Sequence, residues 1–389
     1  MKNVQNVVEL LQALIAIPSV NPEGSGDPGT SHLGEEKCAR MVGDFLIRCG
    51  AEVVFEEVEK GRPNVVARFA STVRDGQNKP RVLFAPHTDT VSVAGMTIDA
   101  FGGELREGKI WGRGASDTKG TMAAMLWAFY QLREKIAELD IEVGFVGLMG
   151  EEIGQPGSRH FARKHGAEWD FAIVGEPTGL DAVCQHKGCT WVQLRTSGKA
   201  VHGSTPERGE NAITAMLAVL QKIDTRFRAD LQAEKYRNSL LGSPTVNIGT
   251  VQGGSKTNIV PDFCEATLDF RVTPELAAAG GVVDLLTRYL SLQQKEHGLP
   301  AVSIEPLVEC SALNTDLENC FVKQLQELGS KSIGAPWFCD AAWLASGGIP
   351  AVALGPGSIA QAHTKDEWIE VTALEAGVDF YKKIMESLH

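Results

Sequence analysis

The pattern of apolar and polar positions along the chain predicts helices and strands in alternation. Apolar positions at helical spacing predict helices over residues 4–17, 35–49, 121–139, 158–164, 211–220, 281–296, 320–328 and 373–388. Short apolar or alternating runs predict strands over residues 51–56, 64–69, 81–85, 141–148, 171–174, 189–196, 245–252, 264–272 and 351–354. Near both ends of the chain the strands are apolar and alternate with helices. This order is typical of an α/β protein with a mostly parallel sheet that helices cover on both faces.

The middle of the chain has a different pattern of polar and apolar residues. Residues 183–307 contain polar, alternating strands and two helical runs, which predict a smaller α+β domain with a four-stranded sheet and two helices. A chain of 389 residues also exceeds the roughly 250–300 residues at which a single core stops growing. We therefore expect a discontinuous first domain, residues 1–182 and 308–389, with residues 183–307 inserted into it.

Five short apolar runs lead into side chains of the kind that bind metals. In open α/β sheets, ligands bind beyond the carboxyl ends of the strands, so residues placed there converge even when they are far apart in sequence. Two imidazoles and four carboxylates in one crevice would repel one another unless cations held them together. The side chains that follow these runs are His87, Asp117, the pair Glu151 and Glu152, Glu176, and His363.

Two of these segments also have other interpretations when taken alone. In the triplet His87-Thr88-Asp89, Asp89 can accept a hydrogen bond from the second ring nitrogen of His87, but a histidine in such a triplet is often only structural. The segment GRGASDTKG, residues 112–120, resembles a dinucleotide-binding loop. Its third glycine position holds Ser116 or Asp117, however, and a carboxylate there would meet the pyrophosphate. A loop that presents Asp117 at the start of a helix suits a carboxylate bridging two metal ions better.

The adjacent carboxylates of Glu151 and Glu152 predict a division of roles. If Glu152 binds a metal, Glu151 can stay free with a raised pKa and act as a general base. A solvated acidic turn is the alternative, and the position directly after an apolar strand argues against it. The mixture of histidine and carboxylate favours Zn²⁺, Co²⁺ or Mn²⁺ over Ca²⁺ and Mg²⁺, which prefer oxygen ligands.

Composition and charge limit the classes of partner and the compartment that the sequence predicts. The net charge of −12 argues against nucleic acid, because binding phosphates requires clustered lysine and arginine, and a small-molecule substrate fits better. No apolar stretch reaches the roughly 18 residues of a membrane span, and the opening segment has the spacing of an amphipathic helix rather than of a signal peptide. The eight cysteines form no CxxC pair, which favours free thiols in a reducing compartment. We expect a cytoplasmic protein.

Taken together, these motifs resemble those of the M20 metallopeptidase family over nearly the whole chain. The HTD, GRGASDTKG, GEE, GEPT and AVHGSTPERGENAI segments and the C-terminal histidine occur in the family's order and spacing. Within the family, the HKG, PTVNIG and LGPGSIAQAH segments are similar to those of acetylornithine deacetylases.

The resemblance implies a set of residue roles. It implies two zinc ions, for which Co²⁺ or Mn²⁺ could substitute, with Asp117 bridging them, His87 and Glu176 on one ion, and Glu152 and His363 on the other. It implies that Glu151 takes the proton of a metal-activated water and that the Asp117–Thr118 peptide is cis. Asp89, through its hydrogen bond to His87, is counted with Glu151 and His202 as a catalytic residue. The resemblance also implies that His202 reaches the substrate carbonyl in the partner subunit of a homodimer. Asn258 and Arg271 match positions that bind the substrate carboxylate, although Arg271 could instead pair with Asp269.

The activity implied is removal of an N-acyl group, acetyl above all, from an amino acid. The inserted domain would then be the lid and the dimerisation domain. Two alternatives within the family are a dipeptidase or carboxypeptidase, and a succinyl-diaminopimelate desuccinylase. A more distant alternative is a non-catalytic binding protein built on the same scaffold.

Overall fold

The computed structural model describes residues 4–23, 32–71 and 79–389. The described part of the chain contains the helices α1 (Val7–Ile15), α2 (Glu36–Arg48), α3 (Lys119–Leu132), α4 (Pro156–His165), α5 (Ala212–Lys222), α6 (Arg228–Asp230), α7 (Pro274–Ala278), α8 (Gly281–His297), α9 (Cys320–Glu327), α10 (Ala341–Ser346) and α11 (Val371–Ser387). No helix in these ranges is both long enough and apolar enough to cross a membrane.

The strands in the same ranges are β1 (Ala51–Glu59), β2 (Arg62–Phe69), β3 (Arg81–Pro86), β4 (Glu104–Arg106), β5 (Lys109–Trp111), β6 (Glu142–Gly147), β7 (Phe171–Gly175), β8 (Ala182–His186), β9 (Gly188–Ser197), β10 (Thr245–Gly253), β11 (Phe263–Val272), β12 (Ser303–Cys310), β13 (Leu313–Asn314), β14 (Ser332–Ala335), β15 (Ala351–Ala353) and β16 (Trp368–Glu370). Each helix and strand predicted from the sequence has a counterpart, and the predicted and observed ends differ by three residues or fewer except at the end of α3. The largest difference is at α3, which ends at Leu132 and is followed by a short 3₁₀ turn at Ile136–Glu138.

The chain divides into two compact units. The first comprises Met1–Cys184, Thr315–Ile333 and Cys339–His389, and the second comprises Gln185–Asn314 and Gly334–Phe338. The sequence placed the two boundaries at 182/183 and 307/308. In the structure the second boundary lies at 314/315, because residues 303–310 form a strand of the second unit's sheet.

The first unit is built on a mostly parallel sheet. Its strands are ordered β1-β2-β6-β3-β7-β15-β8, and the four central strands β6, β3, β7 and β15 run parallel. Alternate residues of these strands, such as Phe84 and Ile173, enter one apolar core with α1, α2, α3, α9 and α11. Helices α4 and α10 pack together, and α10 also contacts β7 and β15. The fold class predicted from the sequence is confirmed.

One of the five apolar runs belongs to a different sheet. The run that leads to Asp117 includes Ile110 and Trp111 of β5, which pairs with β4 and β16 in a small antiparallel sheet rather than with the parallel strands. Asp117 therefore comes not from the end of a strand of the main sheet but from the loop that connects β5 to α3.

The second unit has a four-stranded antiparallel sheet in the order β10-β11-β9-β12. Along β11, buried and partly exposed residues alternate, so one face of the sheet packs against a separate apolar core. Side chains of α5 and α8, among them Met216 and Leu286, complete that core. A four-stranded antiparallel sheet with helices on one face is the α+β arrangement that the sequence predicted.

Candidate metal centre

Side chains at the ends of the four parallel strands converge at one edge of the main sheet. His87 directly follows β3, the pair Glu151 and Glu152 lies shortly after β6, and Glu176 directly follows β7. His363 is carried on the loop between β15 and β16, where it adopts a left-handed φ of 60°. Because parallel strands end at the same edge, residues that are up to 276 positions apart in sequence become neighbours.

The structure places five of the predicted ligands in two groups that share Asp117. One group is His87, Asp117 and Glu176, and the other is Asp117, Glu152 and His363; in each group, ligand atoms of all three residues lie within 4.8 Å of one another. The Oδ1 atom of Asp117 lies 3.0 Å from Nε2 of His87. Its Oδ2 atom lies 3.5 Å from Nε2 of His363. The two oxygens of one carboxylate thus face two separate groups of ligands.

The polar atoms of both groups fit divalent cations. Glu176 is buried, and its Oε1 atom has no hydrogen-bond partner among the described residues. Burial, and then repulsion from Asp117, raises the pKa of Glu176 well above its ordinary value. Burial and the charge of Asp117 likewise raise the pKa of Glu152 to about 7. Buried carboxylates that converge, one of them with an oxygen that no protein donor reaches, are the ligands expected of a cation site, and the two imidazoles beside them add nitrogen ligands.

Asp89 connects the ends of β3 and β6. Its carboxylate accepts hydrogen bonds from the backbone N–H groups of Glu151 at 3.0 Å and Glu152 at 3.1 Å, and from Nδ2 of Asn21 at 2.8 Å. The Oδ1 atom of Asp89 lies 3.3 Å from Nδ1 of His87, and that nitrogen is also 3.1 Å from the backbone oxygen of Asp89. Asp89 therefore orients the histidine, as the sequence suggested, and also fixes the backbone that carries both glutamates.

Glu151 belongs to neither group of ligands. Its Oε1 atom accepts a hydrogen bond of 2.9 Å from Nε2 of Gln155. Burial, and next the negative charge of Glu176, raises the pKa of Glu151 well above its ordinary value. A carboxyl group beside the ligands but outside both groups has the position expected of a general base.

Sequence reasoning missed Glu367, which shapes the loop that carries Asp117. Its buried carboxylate accepts hydrogen bonds from Nη1 of Arg113 at 2.9 Å and from the backbone N–H groups of Gly114, Ser116 and Asp117 at 2.9, 2.7 and 2.8 Å. The next peptide bond, Asp117–Thr118, is cis, as the family resemblance implied. Glu367 lies 250 residues beyond this loop, so no local pattern pointed to it.

The three remaining predicted residues lie in the second unit. His202 is exposed, its Nδ1 atom lies 2.7 Å from the hydroxyl of Ser204, and the N–H of Gly203 donates to the carbonyl of Asn258 at 2.8 Å. His202 and Asn258 are thus carried on adjoining segments. Arg271 donates from Nε to Oδ2 of Asp269 at 3.1 Å, which is the pairing that the sequence left open as its alternative.

The chain is similar to known proteins over nearly its whole length. The peptidase family M20/M25/M40 matches residues 83–387. The chain belongs to this family. Acetylornithine deacetylase of Proteus mirabilis is 28% identical over 385 residues, which are 98% of this chain and 96% of that protein. As a member of the family, the protein is an amidohydrolase.

Solved structures share its fold. Aminopeptidase PepT from Bacillus cereus superimposes with a TM-score of 0.76 at 22% identity, covering 98% of this chain and 97% of that one. YxeP from Bacillus subtilis, described as a dinuclear metal-binding peptidase from the M20 family, gives a TM-score of 0.69 at 16% identity with 98% of both chains covered. At these identities the likeness shows the fold alone. The present chain has two groups of candidate metal ligands that share Asp117.

Proposed function

We propose that the protein removes an acyl group, acetyl above all, from the amino group of an amino acid, as acetylornithine deacetylases do. One observation carries this proposal: two groups of metal ligands share the two oxygens of Asp117, while Glu151 lies beside them with a carboxylate that belongs to neither. The full-length similarity to acetylornithine deacetylases at 28–30% identity supports the choice of substrate.

We propose that His87, Asp117 and Glu176 hold one ion, and that Asp117, Glu152 and His363 hold a second. Zn²⁺ is the ion proposed, with Co²⁺ or Mn²⁺ as substitutes. Metal ions in such a site lower the pKa of water from near 16 to about 7 and polarise the acyl oxygen.

The protein's own residues would divide the remaining work. Glu151 would take the proton of the attacking water and return it to the nitrogen of the leaving amine. Asp89 would hold His87 and the backbone of Glu151 in place. His202 would donate to the acyl oxygen as negative charge develops there, and Asn258 and Arg271 would bind the carboxylate of the amino acid.

The assembly and the compartment are also proposals. We propose a homodimer that forms through the inserted domain, because His202 is placed to serve a neighbouring active site according to the family resemblance. Light scattering on the purified protein should give twice the mass of one chain. None of the eight cysteines, all of them within the described residues, forms a disulfide, and seven are buried, which supports a reducing cytoplasm as the compartment.

A second candidate function is peptide hydrolysis by the same centre. The PepT structure, which superimposes on nearly the whole chain, is named an aminopeptidase, so a dipeptidase, a carboxypeptidase or a desuccinylase would fit the same fold. These activities differ from the first proposal in the groups on either side of the amide and not in the chemistry at it.

A substrate panel on protein loaded with zinc, cobalt or manganese tests the proposal. We expect the highest kcat/KM on N-acetylornithine or another N-acetyl amino acid, compared with N-succinyl-diaminopimelate and dipeptides. A preference for dipeptides would replace the deacylase with a peptidase. No turnover of any of these amides with both ions bound would favour a binding protein that has kept the scaffold.

A further inference from the structure

Gln155 is the residue that contacts the side chain of Glu151, and its own backbone is unusual. It immediately precedes α4, at the position where a side chain commonly caps the helix, yet its side chain makes no capping bond. Its φ and ψ are 54° and 43°, a left-handed conformation that glycine and asparagine adopt far more readily than glutamine. Such strain persists only where the surroundings impose it, and it is common at functional sites.

The side chain of Gln155 is held at both ends. Its Oε1 atom accepts a hydrogen bond of 2.7 Å from the indole Nε1 of Trp343, and its Nε2 atom donates to Oε1 of Glu151 at 2.9 Å. Gln155 is 99% buried, since its relative exposure is 1%. The three side chains form a chain of two hydrogen bonds that runs from α10 to the candidate base.

The chemistry of indole fixes the direction of both bonds. An indole nitrogen only donates, so the atom of Gln155 that faces Trp343 must be its carbonyl oxygen. The amide NH₂ group then necessarily faces Glu151, and it can only donate. Without Trp343, the amide of Gln155 could rotate by 180° and present its oxygen to the carboxyl group instead.

We propose that Trp343 and Gln155 are positioning residues for the reaction, in that they fix the plane of the Glu151 carboxylate and reserve its Oε1 atom as an acceptor. The proton that Glu151 takes is then carried on Oε2, the oxygen that Gln155 leaves free. This inference rests on the proposed role of Glu151 as general base. It assigns Trp343 no contact with the substrate, because Trp343 acts only through Gln155.

Steady-state kinetics with N-acetylornithine test this relay, by which we mean the two hydrogen bonds that lead from Trp343 through Gln155 to Glu151. Gln155→Met removes both hydrogen bonds while keeping a side chain of similar length, and it should lower kcat about tenfold or more with KM and metal content within twofold of wild type. Trp343→Phe keeps a ring but removes the donor, and it should lower kcat about threefold. The double variant should match Gln155→Met alone, because the two residues act in series.

Arg159→Ala is the matched control, since the Arg159 guanidinium lies 4.8 Å from the Trp343 ring centroid. It disturbs the packing of the indole without removing its N–H group, so kcat should stay within twofold. The relay is refuted if the effects of the two single variants multiply, if they appear in KM or metal content rather than in kcat, or if neither variant changes kcat.

An NMR measurement tests whether the two hydrogen bonds of the relay exist, and it requires no enzyme turnover. The indole N–H signal of Trp343 is assigned by its disappearance in Trp343→Phe, and the side-chain amide signals of Gln155 by their disappearance in Gln155→Met. We expect the indole signal to move upfield in Gln155→Met, and the amide signals to move in both Trp343→Phe and Glu151→Ala. An indole N–H chemical shift that is the same in Gln155→Met and in wild type would contradict the relay. If wild type cleaved none of the panel amides but these shifts appeared, the proposed function would fail while the hydrogen-bonded chain stood.

Discussion

At the scale of single residues, the site depends on differences between chemically identical side chains. Glu151 and Glu152 are neighbours in sequence, yet Glu152 lies 2.9 Å from Nε2 of His363 while Glu151 accepts a hydrogen bond from Gln155. The sequence predicts a division of roles because the pair follows an apolar strand, where two adjacent carboxylates repel each other unless their surroundings differ. It could not predict Gln155 or Trp343, because a hydrogen bond that spans 188 residues leaves no local pattern.

Substitution of the two glutamates should separate the base from the ligand. Glu151→Ala should lower kcat by about 10²- to 10⁴-fold, the usual contribution of a general base, while metal content and the unfolding temperature stay close to wild type. Glu152→Gln, its matched neighbour, should instead lose bound metal. Steady-state kinetics combined with elemental analysis measure both effects. Near-normal turnover by Glu151→Ala would show that another group is the base.

At the scale of structural elements, the apolar pattern predicted the helices and strands well. Helices such as α2 bury one face, and the central strands β6 and β7 are buried along almost their whole length. The pattern did not show that residues 109–111 pair with β16, because that small sheet joins segments more than 250 residues apart. The pairing of β16 with β5 also places Glu367, the residue just before β16, where its carboxylate accepts hydrogen bonds from the loop of residues 112–118. The predicted metal bridge Asp117 therefore depends on an element that the local sequence could not connect with it.

Glu367→Gln should weaken that loop. Each oxygen of Glu367 accepts two of the four hydrogen bonds. An amide NH₂ group in place of either oxygen cannot accept, so two of the four bonds are lost, at a cost of about 2 kcal/mol. We expect a lower unfolding temperature and weaker binding of both metals, because both groups of ligands include Asp117. Calorimetric titration with Zn²⁺ checks this, with the exposed Glu370→Gln on β16 as the control. Unchanged affinity for both ions would contradict the positioning role of Glu367.

The C-terminal end of α4, the end distant from Gln155, is held against β1 by polar contacts to Glu56. Lys164 and His165 each contact Oε1 of Glu56 on β1, at 2.8 and 2.9 Å. Burial opposes ionisation of Glu56, but these hydrogen bonds outweigh it and lower the pKa of Glu56 in the folded protein. A carboxylate whose pKa is lowered by folding stabilises the protein above its unfolded pKa, and this contribution is lost as the pH falls through the folded value.

Glu56→Gln should therefore reduce stability by about 1 kcal/mol at pH 7. The difference from wild type should shrink steadily below about pH 4.5, the ordinary pKa region of glutamate. Denaturant unfolding of both proteins from pH 7 to pH 3 measures it. A difference that stays constant over this range would show that Glu56 contributes through shape and not through its charge.

At the scale of the whole molecule, the parallel order β6-β3-β7-β15 explains why dispersed residues meet. The sequence carried this information because apolar strands with helices between them must lie parallel, and parallel strands end at one edge. The end of the inserted segment was harder to predict. In β12, whose residues are mostly exposed, no alternation marks where the second unit's sheet stops, so only the pairing with β9 defines its extent. For the same reason, exposed residues such as His202 and Asn258 could be recognised only by family resemblance.

Metal stoichiometry tests the central claim most directly. After loading with excess Zn²⁺ and removal of free ion, elemental analysis should find two ions per chain in wild type. It should find one in His363→Ala, which disrupts a single group, and fewer than one in Asp117→Ala, which disrupts both. One ion or none in wild type after loading with zinc, cobalt or manganese, or two ions in Asp117→Ala, would contradict a centre in which Asp117 joins two metals.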